Sequence, residues 1–170
     1  MYVNPESLED SGPFSQSLSN HFTDNFAGSQ GFSREFLEFV CGPRLGHGVS
    51  REVFSCRFRE DCVVKIETAP GHFANVQEAM LWHMVEGEEN AKWFAPVLAV
   101  SSNGRVMLQK RTTPVPASFE LPKMVPTFLT DMKRENFGMY KGRLVCHDYA
   151  LNRVASAGLY SKRMMKASWT

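Results

Sequence analysis

No apolar run in this chain approaches the ~18 residues that a membrane-spanning helix needs. The acidic, serine-rich start is unlike a signal peptide. Lysine and arginine are spread out and the formal net charge is only +1, so neither a nucleic-acid footprint nor a membrane-attracted surface is expected. Cysteine is scarce. Cys41, Cys56, Cys62 and Cys146 form no CxxC pair, and no Cys/His spacing suits zinc. Three of the four lie in apolar, strand-like runs, where a thiol behaves as a small hydrophobe, and a reducing cytoplasm is the expected setting. No internal repeat is visible. What is present is ordinary: 170 residues, 43% apolar and 22% charged, enough for about one domain with a real core.

Residues 1–30 mix Ser, Asn, Gly and Asp with scattered Phe14, Phe22 and Phe26, and no period holds. They are expected to form a flexible arm. From Phe32 to Val40 a short helix, with Ser33 as a possible N-cap, should run into a strand. Gly46 and Gly48 then close one extended run, and Val53, Phe54, Cys56 and Phe58 mark the next. Two readings stand: an ordinary glycine hairpin, or a loop that lets backbone N–H groups approach a phosphate. Arg51 stands where a third glycine of GxGxxG would be, and no helix follows, so a dinucleotide fold is not indicated.

Cys62 to Thr68 reads as an apolar strand carrying one internal charge, Lys65. That lysine either faces solvent or needs a carboxylate. Phe73 to Val85 has a helical period, with Phe73, Val76, Met80, Leu81 and Met84 as the expected core face and His83 on the surface. Glu78 is the only acid in the helix body, hence the candidate partner of Lys65. Val97 to Gln109 should be a hairpin turning at Asn103-Gly104, the dipeptide of a type I′ turn. Lys110 to Pro126 carries Pro114, Pro116, Pro122 and Pro126 and reads as a connector. Leu151 to Thr170 is basic, and a short helix with a frayed end is expected there.

The stretch between Thr130 and Ala150 carries the chemistry. Asp131, Lys133 and Asn136 come first, then a hairpin turning at Lys141-Gly142, then Asp148 after an apolar run. Two carboxylates, an amide and an amine on one such unit suit phosphoryl transfer from Mg·ATP.

Taken in order, these elements resemble the protein kinase family between about Leu45 and Ala150. Leu45-Gly-His-Gly48 is similar to the glycine-rich loop, Val63-Val-Lys65 to the β3 lysine motif with Glu78 as its partner, and Lys110 to Thr113 to the hinge along the adenine. Asp131-Met-Lys133-Arg-Glu-Asn136 looks like the second half of the HRDxKxxN catalytic loop, and Asp148-Tyr-Ala150 like a variant DFG. The resemblance implies an α+β, kinase-like fold: a five-stranded antiparallel N-lobe sheet with one αC-type helix over residues 31–111, and a strongly truncated C-lobe over 112–170 carrying the catalytic loop and a β-hairpin. It implies ATP and Mg²⁺ as cofactors, with Gly46, Gly48, Lys65 and Glu78 on the nucleotide, Asn136 and Asp148 on the metal, and Asp131 and Lys133 as catalytic residues. The departures are as plain. Leu129-Thr130 replace the family's His-Arg, Ala150 replaces a glycine, and no activation segment follows. Such trimming is similar to small kinase-like proteins of tailed bacteriophages. The implied activity is Ser/Thr phosphotransfer to a protein partner, a host protein in the host cytosol if the chain is phage-encoded, with a homodimer possible and no nucleic acid. The alternative is an inactive pseudokinase that works by binding protein. A small-molecule phosphotransferase fits less well, because the region for pocket helices is short.

Overall fold

The computed structural model describes residues 34–68, 71–158 and 161–170. The arm expected over 1–30, its phenylalanines and the Ser33 cap lie outside these residues. Helix α1 (Arg34–Val40) runs directly into β1 (Cys41–His47), followed by β2 (Arg51–Cys56) and β3 (Cys62–Glu67). Helix α2 (Ala74–Val85) comes next, then a 3-10 turn (Glu89–Trp93), β4 (Val97–Val100) and β5 (Val106–Lys110). After the proline-rich connector come β6 (Met124–Pro126), a 3-10 turn (Arg134–Asn136), β7 (Phe137–Tyr140), β8 (Arg143–Cys146), α3 (Val154–Ala157) and β9 (Met164–Lys166). The architecture is mixed α+β. The first five strands form one antiparallel sheet in the order β1-β2-β3-β5-β4, and β7-β8 and β6-β9 form two small antiparallel pairs.

Strand β3 is central, and every one of its residues is buried. Alternation divides its side chains between two environments. Cys62, Val64 and Ile66 join Leu37, Cys41, Phe54 and Cys56 in an apolar cluster under α1. Val63, Lys65 and Glu67 share the opposite face with their cross-strand partners Arg51, Val53, Met107 and Gln109. That face looks toward α2. The Glu67 carboxylate accepts the Asn75 backbone N–H at 2.6 Å, a first-turn donor that the N-cap residue, Phe73, makes no side-chain bond to cap.

A second cluster takes Leu81, Val85 and Phe94 from the first half of the chain and Val125, Phe128, Met132, Phe137, Tyr149 and Val154 from the second. Helix α2 therefore reaches both parts. Its buried residues are Ala74, Asn75, Glu78, Leu81 and Val85. This corrects the expected core face: Phe73, Met80 and Met84 are 58%, 61% and 45% exposed. The reason is physical. Glu78 and Asn75 find polar partners on the sheet, so the helix turns its polar side inward and its methionines outward.

Two turns also differ from expectation. Asn103 does not take the positive φ that a type I′ turn requires, and the chain closes instead through Gly104 N–H to Ser101 C=O at 2.8 Å with Gly104 at φ 73°. The paired positive φ values occur at Lys141 and Gly142, 49° and 76°, which join β7 to β8. The C-terminal segment is not frayed. Trp169 stacks edge-on against Phe137 at 4.9 Å, its indole N–H donates to Pro122 C=O at 3.0 Å, and Arg134 N–H donates to Thr170 C=O at 2.9 Å. Among the described residues there, only Val154–Ala157 is helical and Leu151 is 73% exposed; Leu159 lies outside them. No helix among the described residues is long and apolar enough to cross a membrane.

The orientation of α2 is directly testable. Leu81→Ala should cost about 2–4 kcal/mol in urea unfolding, and Met80→Ala about 0.5 kcal/mol or less. Equal costs would contradict the helix rotation described here.

Candidate functional site

Three polar side chains on the α2-facing side of the sheet, Arg51, Lys65 and Gln109, converge on Glu78. Its carboxylate is fully buried. One oxygen accepts from Lys65 Nζ at 2.8 Å and, at a longer 3.4 Å, from Gln109 Nε2. The other accepts from Arg51 Nη2 at 2.7 Å and from the Tyr149 backbone N–H at 2.9 Å. Burial pushes the Glu78 carboxyl up, but Lys65 and Arg51 outweigh it and bring the group down to about 2. Lys65 is only 3% exposed, and burial pulls its ammonium below the usual lysine value against the attraction of Glu78.

The same cluster ties the sheet to the segment after β8. Lys65 Nζ also donates to the His147 carbonyl. The next residue is Asp148, whose side chain is 52% exposed and accepts from Arg51 Nη2 at 2.5 Å. Tyr149 is buried, with its hydroxyl on Ala95 C=O at 2.8 Å and its ring 4.9 Å from Phe94. Lys65, Glu78 and Asp148 are thus one connected group.

Asn136 joins it through the backbone. Its carbonyl accepts from His147 N–H at 2.8 Å and from Asp148 N–H at 3.4 Å, while its side-chain amide donates to Asp131 C=O at 3.4 Å. Asp131 in turn has Lys133 Nζ at 3.6 Å. Asn136 and Asp148 supply hard oxygen donors from adjacent chain segments, which suits a magnesium ion that completes its shell with phosphate and water. No cluster of three or more His, Cys, Asp or Glu able to hold a metal occurs among the described residues, so a cage built from protein alone is not what these residues offer. The Asp148 oxygen is already held by Arg51.

Gly46 lies near the end of β1, paired with Val53, and Gly48 lies in the β1–β2 turn, where its N–H donates to Arg51 C=O at 2.7 Å; neither has positive φ. A Cβ at Gly46 would meet nothing within 4 Å, and one at Gly48 only the Arg51 carbonyl at 3.9 Å. The protein's own packing requires neither glycine. Gly138 differs: a Cβ there would strike Thr112 Oγ1 at 2.4 Å. This packing brings Thr113 against Met139, and the two exchange both backbone bonds at 3.0 and 2.8 Å. Arg111 N–H is likewise spent on Asp61 C=O at 2.9 Å. The edge expected to lie along an adenine is therefore partly used within the fold.

An open groove of about 480 Å³ runs along this edge, lined by Thr112, Thr113, Pro114, Val115, Arg134, Glu135, Phe137 and His147. The His147 ring bridges its sides. Nε2 must donate to the Glu135 carbonyl at 2.9 Å, so Nδ1 accepts from the Thr112 hydroxyl at 2.8 Å. Burial, reinforced by the Lys65 charge, pushes this imidazole down to about 4.

Sequence reasoning passed over Arg51, Gln109, His147 and Tyr149. Arg51 alone carried a signal, a long cation in a glycine position. No protein-family model and no curated protein matches the chain.

Glu78→Gln should destabilise the fold by about 3–5 kcal/mol in urea unfolding, because it leaves two buried cations short of a counter-charge. The double change Lys65→Met with Glu78→Met should recover part of that loss; a sum of two independent costs would argue against the pairing. His147 has its own signature. Its folded-state value lies below the ordinary 6.5, so its contribution is complete above pH 6.5 and drains away as pH falls toward 4. The loss is no more than about 3 kcal/mol. His147→Gln should flatten the stability–pH slope across that window, and an unchanged slope would remove His147 as its source.

Proposed function

We propose that the chain is a reduced, protein kinase-like phosphotransferase that moves the γ-phosphoryl of Mg·ATP to a Ser or Thr hydroxyl of a protein partner. The observation that carries this reading is the buried Lys65–Glu78 pair, bonded through His147 to the segment bearing Asp148. Nothing in the fold's stability requires a lysine there, since a buried ion pair is at best neutral against apolar residues of similar size. The sheet order, the long helix α2 on one face and the hairpin between Asn136 and Asp148 support the same reading. So do two glycines that the local packing does not require.

In this mechanism Lys65, held by Glu78, contacts the α and β phosphates. Gly46 and Gly48 would let the backbone of the β1–β2 turn approach them closely, and because Gly48 N–H donates to Arg51 C=O at 2.7 Å, that bond would have to open before this N–H could reach a phosphate. Asn136 and Asp148 would hold magnesium, which supplies neutralisation of the phosphate charge when bound. Asp131 orients the acceptor hydroxyl and takes its proton, and Lys133 lies toward the transferred group. The groove beside His147 offers room for the nucleoside end.

A second reading is favoured by two observations: Arg51 already holds Asp148, and Thr113 already bonds Met139. On that reading the protein is an inactive pseudokinase that binds a protein partner.

One assay divides them. With γ-labelled ATP, magnesium, and the chain itself plus a Ser/Thr peptide pool as acceptors, wild type should transfer label. Asp131→Asn should lose roughly 100-fold or more. ATP at about 100 times its Kd should add about 2.7 kcal/mol to stability. Stabilisation by ATP without transfer would support a nucleotide-binding pseudokinase, and neither effect would end the nucleotide reading.

A further inference from the structure

Arg51 is bonded directly to both Glu78 and Asp148, yet the proposed mechanism does not use it. It is 7% exposed, yet it reaches from the start of β2 to three partners: Asn75 Oδ1 at 3.4 Å, Glu78 at 2.7 Å and Asp148 at 2.5 Å. Two of these belong to α2 and one to the segment after β8. Both N–H groups of Nη2 are spent, one on each carboxylate. Of the two carboxylates, Glu78 is fully buried and also held by Lys65, Gln109 and Tyr149, whereas Asp148 is half-exposed. The Asp148 contact is therefore the one that can open without stranding a buried charge.

We infer that Arg51 is the resident counter-ion of Asp148, that a divalent cation taking the same oxygen, Oδ1, displaces it there, and that the released N–H then turns to the nucleotide's phosphates while Glu78 holds the rest of the guanidinium in place. This rests on the Mg·ATP reading above. The chemistry is that of competition for one carboxylate: a guanidinium and a metal cannot both take the same Asp148 oxygen. Displacement frees one Nη2 N–H beside Lys65, a charged donor suited to a phosphate oxygen. Arg51 would be a positioning and phosphate-binding residue, and the metal requirement would be coupled to nucleotide affinity through it.

The coupling predicts changes of opposite sign, which a purely structural arginine would not produce. Calorimetric titration with Mg²⁺ alone should show half-saturation at roughly tenfold lower concentration in Arg51→Gln than in wild type. Titration with ATP at saturating Mg²⁺ should show roughly tenfold weaker binding in the same variant. Arg51→Lys should shift both quantities in the same directions, by less. Unchanged Mg²⁺ dependence in both variants, or a fall in both affinities together, would overturn the role of Arg51. If neither variant folds, metal-free ATP decides. Asp148→Asn frees Arg51 without altering it and should bind ATP in EDTA several-fold better than wild type. Glu89→Gln, a neutralised carboxylate outside the proposed site that pairs with Lys92 and Lys162 and that Arg51 does not touch, should not. A rise in both, or in neither, would overturn the inference. Wild type that binds no Mg·ATP at all would bring down the nucleotide reading itself, a result distinct from any of these.

Discussion

A carboxylate with no exposure to water must be answered from within the protein, and Glu78 is answered from four directions. Lys65 comes from the central strand, Arg51 from its neighbour, Gln109 from the next strand over, and the Tyr149 amide from beyond the second hairpin. Remove the carboxylate and two cations are left in a poor dielectric; remove one cation and the other still has a claim on it. A group so placed fixes the rotation of α2 and its distance from β3, and it draws the 147–149 segment against the sheet. The outward methionines of α2 and its short apolar contact with the second core follow from that one demand.

Function, on the reading proposed, depends on the same feature. A lysine is a useful phosphate ligand only if its flexible stem is immobilised and its charge retained, and a buried glutamate does both. The price is a polar cluster in the middle of a small domain. The apolar clusters on either side make that tolerable: one seals the sheet's other face under α1, the other packs Phe94, Phe128 and Tyr149 beneath the helix. Arg51 completes charge balance in the structure as it stands, so the site is electrically satisfied before any ligand arrives.

The expected strands of the first half of the chain are present, because alternation along Cys62–Glu67 and the glycine-punctuated runs around it are local properties. Of the residues proposed for the site, Lys65, Glu78, Asn136 and Asp148 do come together in space. Less legible was anything set by a distant partner. The face of α2 was misjudged because periodicity counts methionines as core, while Glu78 and Asn75 were drawn inward by strands far away in sequence. Asn103-Gly104 has the composition of a type I′ turn, yet the register of β4 against β5 needs a longer one. The last residues looked basic and loose, but Trp169 has Phe137 and Pro122 to meet, more than thirty positions upstream.

The order of amino acids by itself determined the strands and the long helix of the first half of the chain and the hairpin around Lys141-Gly142, since each depends on neighbours a few residues apart. Tertiary structure alone decided that Arg51 spans two carboxylates, that His147 carries its lone pair toward Thr112, and that Thr113 spends its backbone on Met139. Those outcomes turn on which buried donors and acceptors must satisfy one another across the fold, and no local pattern records that obligation.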